Sequence, residues 1–417
     1  MREGWGIINS RLFVREKRPQ TKWFTVASDC NNVWIIVVCG LFGSLIALLN
    51  ASKSTLAIAD HIGDKCKTDK SVLLSAWLLG ILIFIDDYMN ILTISACMKE
   101  LCDKKRIPRA TLAYVIDSTG APTCLLVPFS TWAVFYAKSF YEQQAVNTLY
   151  YGTAIDTYLR AIPFMFYAWI AVILVPMVIC GIVPIIGPLK KEYADARTVQ
   201  IKGANLKLDE SDAKSSIMDF IIPIGVMIVV TVIWENMLWA LMAAIISCLL
   251  LYVPRKIMTF TEYCNLVLKG FSDLVPTLGV LLLAFFMKQA CMDINLPEYV
   301  VQSCLPYVNG KSFPAVAFLL VSILAFATGD SWGVPAICIP IIIPLAAACN
   351  AHILLTMGAI VSGGVFCSHA CFYSDATVLT SQCCGIDNMI HARTQMPYAG
   401  IAFLISFLIY LILGLIL

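Results

Sequence analysis

The feature that most constrains this chain is the length of its apolar stretches. They lie near 33–50, 71–98, 111–137, 161–188, 217–234, 237–253, 274–290, 313–349, 352–374 and 397–417. A helix needs about 20 mostly apolar residues to cross the hydrocarbon core of a bilayer. Within that core the backbone must satisfy its own hydrogen bonds, so helices are the expected elements. The chain therefore reads as an all-α integral membrane protein with about ten membrane-embedded segments, and the lipid bilayer is its first partner. Composition agrees: 59% of residues are hydrophobic and 13% charged, against about 25% charged in soluble chains. A net charge of +2 offers nothing to nucleic acid, and a disordered chain or a secreted disulfide scaffold is excluded. Most of the 17 cysteines, such as Cys39, Cys124, Cys180, Cys248 and Cys338, sit in apolar runs and read as small buried hydrophobes.

The chain divides into a basic N-terminal segment 1–32, a first membrane half 33–188, a hydrophilic linker 189–216 and a second membrane half 217–417. Basic residues crowd 99–109 (Lys99, Lys104, Lys105, Arg106, Arg109) and 189–216. The positive-inside rule places both loops in the cytoplasm. The 51–70 stretch, with Lys53, Lys65, Lys67 and Lys70, leaves two topologies open. Either 71–98 is a re-entrant hairpin or it spans fully. Gly120-Ala-Pro122 and Pro128 interrupt 111–137, and Gly329, Gly333, Pro335, Pro340 and Pro344 interrupt 313–349. Such breaks remove helix donors, and at membrane depth freed backbone is tolerated where it is buried in protein or lines a wet cavity.

An acid sits beside each break. Asp86 and Asp87 are the only charges between Ser71 and Met98, Asp117 the only one between Thr111 and Ala137, and Asp330 the only one between Phe313 and Tyr373 before Asp375 follows. Each costs ~2.5–3.5 kcal/mol at the bilayer centre, so five facing lipid unpaired would cost on the order of 12–18 kcal/mol. They are expected to face a polar interior and hold a cation or a proton. Their neighbours are oxygen donors: Asn90 one turn after Asp86, Ser118 and Thr119 after Asp117, Thr328 and Ser331 around Asp330, Ser374 and Thr377 around Asp375. As a helix, 83–98 would put Asp86, Asn90, Thr93 and Cys97 on one face. His369 reads equally as a proton-linked residue or a core histidine, and His352 as an interfacial or packing residue. Trp132 and Trp332 read as packing residues; Lys288 and Arg160 are expected to snorkel near span ends.

Ile85-Asp-Asp-Tyr-Met-Asn90, Tyr114-Val-Ile-Asp-Ser-Thr-Gly-Ala-Pro122 and Val127-Pro-Phe-Ser-Thr-Trp132 resemble the first half of NhaC-family Na⁺/H⁺ antiporters. Thr328-Gly-Asp-Ser-Trp-Gly333, Ser374-Asp-Ala-Thr377 and His391-Ala-Arg-Thr-Gln-Met-Pro-Tyr398 resemble the second. The resemblance implies the ion transporter superfamily fold: two inverted repeats, each with a re-entrant hairpin and a broken helix, moving as an elevator. Two departures stand out. The family's Gly-Asp-His is Cys367-Ser-His369 here, and its Thr-Gly-Thr-Ser-Trp has Asp330 as its third residue here. One acid is lost and one gained. Relatives also commonly begin with two further membrane segments.

The leading expectation is secondary transport in the cell membrane, multi-pass, exchanging Na⁺ for H⁺ with no cofactor. The runner-up is Na⁺- or H⁺-coupled exchange or symport of a small organic anion or amino acid, with Arg393 and Gln395 as substrate or structural partners. An intramembrane aspartyl protease is a distant third, since it needs two acids rather than five. No G-x-x-x-x-G-K-[ST] motif supports ATP-driven pumping. A homodimer is a compatible assembly.

Overall fold

A computed structural model describes residues 26–54, 57, 66–84, 86–128, 130–149, 152–202, 216–234, 236–275 and 309–417, with scattered positions between 278 and 299. Residues 1–25 of the basic segment, 203–215 of the linker, and part of the expected span near 274–290, Lys288 included, lie outside the described residues. Among the described residues the regular elements are all helices, without a strand.

The first half contains α1 (Cys30–Ala51), α2 (Asp69–Leu82), α3 (Asp87–Lys105), α4 (Arg109–Leu126), α5 (Thr131–Tyr141), α6 (Ala154–Ala161) and α7 (Phe166–Cys180). The linker opens with α8 (Gly187–Lys202). The second half contains α9 (Met218–Trp234), α10 (Met237–Tyr252), α11 (Phe260–Asp273), α12 (Phe313–Thr328), α13 (Gly333–Ala348), α14 (Ile353–Ala370), α15 (Asp375–Cys384) and α16 (Asn388–Ile416). Among the described residues, three units are long and apolar enough to cross a membrane: Asn32–Ala51, the α14–α15 unit Ile353–Cys384, and α16. Counting α4–α5 (bent by 46°) and Ala154–Phe164 with α7 (bent by 56°) as single spans makes five.

The stretch 71–98 is a hairpin rather than a crossing. Lys105 Nζ reaches the Lys67 carbonyl at 3.5 Å, and Asn90 Nδ2 reaches the Gly80 carbonyl at 2.7 Å. The two arms α2 and α3 are therefore antiparallel, with both open ends on one side. The stretch 313–349 is also a hairpin, since a Cβ on Gly310 would lie 2.1 Å from the Cys349 carbonyl. The two hairpins open at opposite ends of the molecule. Arg109, which follows the first hairpin, meets the Gly385 carbonyl just before α16 begins. Lys311, which opens the second hairpin, meets Gly414 at the far end of α16. Each hairpin is followed by a broken helix: α4–α5 interrupted at 127–130, and α14–α15 interrupted at 371–374.

Packing follows a second division. One apolar core takes α1–α3, the start of α4 as far as Ile116, the end of α7, α9, α10 and α15 from Ala376. The other takes α4 from Ala121, α5, the start of α7, α12, α13 and α14. Between them lie 117–120 on α4 and, at the α14–α15 break, Ser368, His369, Ser374 and Asp375, while Cys371 and Tyr373 of that break pack with the second core. A polar layer thus lies between the two apolar masses. To one side, α1 and α11 cross at glycines, where a Cβ on Gly43 would fall 2.2 Å from the Gly270 carbonyl.

Candidate functional site

The hairpin tips supply the first group of carboxylates. Asp86 is extended, with φ −151° and ψ 140°, and caps α3. Its Oδ1 accepts from the Tyr88 and Met89 amides at 3.0 and 3.2 Å. Asp330 does the same for α13, with Oδ1 accepting from the Trp332 and Gly333 amides at 3.0 and 2.7 Å. These are donors that a helix start leaves free, and a carboxylate there also meets the positive end of the helix dipole. Asp86 is thus the residue that starts α3, not a member of its face as the 83–98 helix implied. Thr131, the first residue of α5, donates to Asp86 Oδ2 at 3.2 Å. Its counterpart at the second break is Asp375, the first residue of α15. Ser130 and Ser374 cap these two helices, accepting from Ala133 and Thr377. Tyr88 donates a short hydrogen bond to Asp375, tying the first hairpin to the second broken helix. Asp87 is 2% exposed and lies within electrostatic reach of Asp86 and Asp375; Asp375 also senses Asp330. No Lys or Arg pairs with Asp86, Asp87 or Asp375 among the described residues. Asn90 braces the tip by donating to the Gly80 and Ile83 carbonyls at 2.7 and 2.8 Å.

The second group centres on Asp117, which is 1% exposed in the middle of α4. Its Oδ2 accepts from Gln395 Nε2 at 2.7 Å and His391 Nε2 at 3.1 Å, with Thr377 Oγ1 at 3.4 Å. Thr377 gives its proton to the Ser368 carbonyl at 2.7 Å and accepts from Ser374. Gln395 also donates to the His369 carbonyl at 2.6 Å. His369 Nε2 donates to the Asp117 carbonyl at 2.9 Å, while its Nδ1 meets the Tyr167 hydroxyl at 3.1 Å. Both ring nitrogens are thereby engaged, which removes His369 from any metal set with Cys367 and Cys371. The described residues hold no group of three His, Cys, Asp or Glu suited to a metal ion.

Several expected residues fall into place and others do not. Asp86, Asp87, Asn90, Asp330, Ser374 and Asp375 gather at the tips and breaks; Asp117, His369, Thr377 and Gln395 share one network. Thr119 and Thr328 bond back to the carbonyls of Val115 and Leu324 in their own helices, and Ser118 and Ser331 are simply buried. Arg393 is exposed, because residues 391 and 395 share the buried face of α16 and 393 lies across the helix. It does not reach the site. Asp117 and Asp375 lie on antiparallel helices, since Arg109 meets Gly385 and Asp117 meets Thr377. They are not positional equivalents, however: Asp117 precedes its break by ten residues, and Asp375 follows its own at once. Trp132 and Trp332 pack against each other, ring centroids 4.1 Å apart and planes tilted by 40°. His352 caps α14 and Arg160 is exposed.

Four contributors were not singled out from the sequence. Thr131, Tyr88 and Tyr167 carry no sequence mark beyond their type. His391 had one: with Gln395 it makes an i, i+4 polar pair preceding an apolar run, and α16 begins at Asn388 to include it, nine residues before the apolar run near 397–417.

The result is a buried, acid-rich layer. Residues 144–415 match the family model described as the Na⁺/H⁺ antiporter family. An uncharacterized protein of Haemophilus influenzae is 26% identical over 92% of this chain and 79% of its own length. The malate-2H⁺/Na⁺-lactate antiporter of Bacillus subtilis is 27% identical over 26% of this chain and 24% of its own. With the family model covering well over half of its length, this helical membrane protein belongs to the Na⁺/H⁺ antiporter family, a family of transporters and not of enzymes.

Proposed function

We propose that the chain is a Na⁺/H⁺ antiporter of the NhaC type, multi-pass in the cell membrane, with about ten embedded segments in two inverted repeats. Each repeat is a hairpin and a broken helix: α2–α3 with α4–α5, and α12–α13 with α14–α15. The matching caps of Asp86 and Asp330, and the opposite openings of the hairpins, support this pairing. Lys67, Lys105 and Arg109 gather at one end, which the positive-inside rule makes cytoplasmic.

The observation that carries the mechanism is that Tyr88 ties Asp375 to the first hairpin tip, where Asp375 interacts electrostatically with Asp87 and with Asp330, and that no Lys or Arg pairs Asp87 or Asp375 among the described residues. Carboxylates crowded in a low-dielectric layer repel one another, so the set gains by taking up a cation or protons, one in exchange for the other. Oxygen donors at broken helices strip and hold Na⁺, and opposed hairpins give each membrane face its own access route to one site. The test uses purified protein in vesicles loaded with a pH-sensitive dye. Addition of Na⁺ or Li⁺ should drive proton movement, and K⁺ should not. Proton movement indifferent to Na⁺ would reject the reading.

A second reading, exchange of a small organic anion, is favoured by the name of the Bacillus relative. Against it stand the acid-rich lining, the exposure of Arg393 and the self-capped helix starts, which already spend their amides on Asp86, Asp330, Ser130 and Ser374. Malate and lactate in the same vesicle assay separate the two.

A further inference from the structure

We propose a second Na⁺ site beside the tip carboxylates, in the seam around the middle of α4, formed by Asp117 Oδ1, Asn90 Oδ1, Gln395 Oε1 and the Thr93 hydroxyl. It rests on the reading of the chain as a Na⁺ carrier. Each of these four atoms is buried and has no hydrogen-bond partner. Buried polar atoms without partners are rare and costly, so four in one neighbourhood call for a bound species.

Their placement follows from contacts. Asn90 Oδ1 packs against α4, 3.1 Å from where a Cβ on Gly120 would stand. Asp117 lies one turn before Gly120 on α4, and Thr93 one turn after Asn90 on α3. The two helices are antiparallel, with Asp103 bonded to Arg109 at their near ends, so Thr93 comes level with Asp117. Gln395 touches Asp117 directly.

The chemistry follows from the amides. Asn90 Nδ2 donates to two carbonyls, and Gln395 Nε2 donates to a carbonyl and to Asp117 Oδ2. All four partners are acceptors, so neither amide can be flipped, and both carbonyl oxygens are fixed facing inward. Three of the four atoms accept only. A set of oxygen acceptors with a single hydroxyl donor among them suits a hard cation.

Equilibrium binding of radioactive Na⁺ to the purified full chain tests this. Wild type should bind two Na⁺ per chain, and Asp117→Asn and Asp375→Asn one each. Thr93→Val, the same size without the oxygen, should weaken one of the two by tenfold or more. It carries the test if Asp117→Asn does not elute as a monodisperse species. Two sites of unchanged affinity in both Asp117→Asn and Thr93→Val would overturn the proposal. One site in wild type, lost in Asp375→Asn but retained in Asp117→Asn, overturns it as well and leaves the tip site standing. One site lost only in Asp117→Asn supports the seam and rejects the tips. No binding at all rejects both.

Discussion

Replacing Asn90 by Leu should loosen the first hairpin, and the size of the effect can be worked from its two bonds. Gly80 and Ile83 lie where α2 ends, so their carbonyls have no donor from a next helical turn. Asn90 Nδ2 serves both, at 2.7 and 2.8 Å, from a fully buried position. Leu has similar bulk and no donor, so the packing is kept while one buried and one half-buried carbonyl are stranded. At about 1–3 kcal/mol for each unsatisfied buried group, the loss is roughly 2–6 kcal/mol. Taking the lower end of the known scaling, ~2 °C per kcal/mol for a large chain, the apparent melting temperature should fall by roughly 4–12 °C. The measurement is thermal unfolding in detergent without Na⁺, so that ion binding does not contribute. Asn90→Asp should be at least as damaging, because it turns a carboxylate toward two carbonyls. Because the same hairpin tip sets Asp86 and Asp87, exchange should fall with stability. A melting temperature within about 1 °C of wild type for Asn90→Leu would refute the claim that this side chain closes the hairpin.

Asp87→Asn keeps the shape of the tip and should abolish Na⁺-dependent proton flux in vesicles; a wild-type rate would remove Asp87 from the site. Asp330→Thr should fold normally, since Thr also caps helices, yet lose most exchange; adding Ser368→Asp should restore part of it, and full activity in the single variant would end that argument. Gly329 has φ +70°, and a Cβ there would lie 2.6 Å from the Tyr373 ring. Gly329→Ala should therefore cost at least ~1–2 kcal/mol from backbone strain alone, read as a lower melting temperature, and an unchanged one would show that the tip can relax. Gly43→Val should separate α1 from α11 and impair assembly, visible as loss of the monodisperse peak on size exclusion, whereas a normal profile would mean the crossing is not needed.

Hydropathy alone made the helical membrane character of this protein legible, because apolar length is a local property that burial in lipid imposes directly. The isolated acids were legible for the same reason: a charge in an apolar run is conspicuous, and Asp86, Asp87, Asp117, Asp330 and Asp375 all prove to lie in the interior layer or at its edge. The motifs also marked where helices break. What they left open was direction. Whether 71–98 crosses or returns depends on Lys105 meeting Lys67 and Asn90 meeting Gly80, contacts across the turn that hydropathy does not record. The pairing of Asp117 with Asp375 as equivalents failed because it matched local strings, Asp-Ser-Thr against Ser-Asp-Ala-Thr, while the breaks set the register. Arg393 and His391 were exchanged in importance for a similar reason. Both lie before the apolar run near 397–417, and only the position of α16 against α4 shows which side of that helix faces inward. Composition and spacing determine which residues can be buried. Which buried atoms meet is decided when helices distant in sequence close around one polar layer, since a hydrogen bond acts over about 3 Å and carries no record of chain distance.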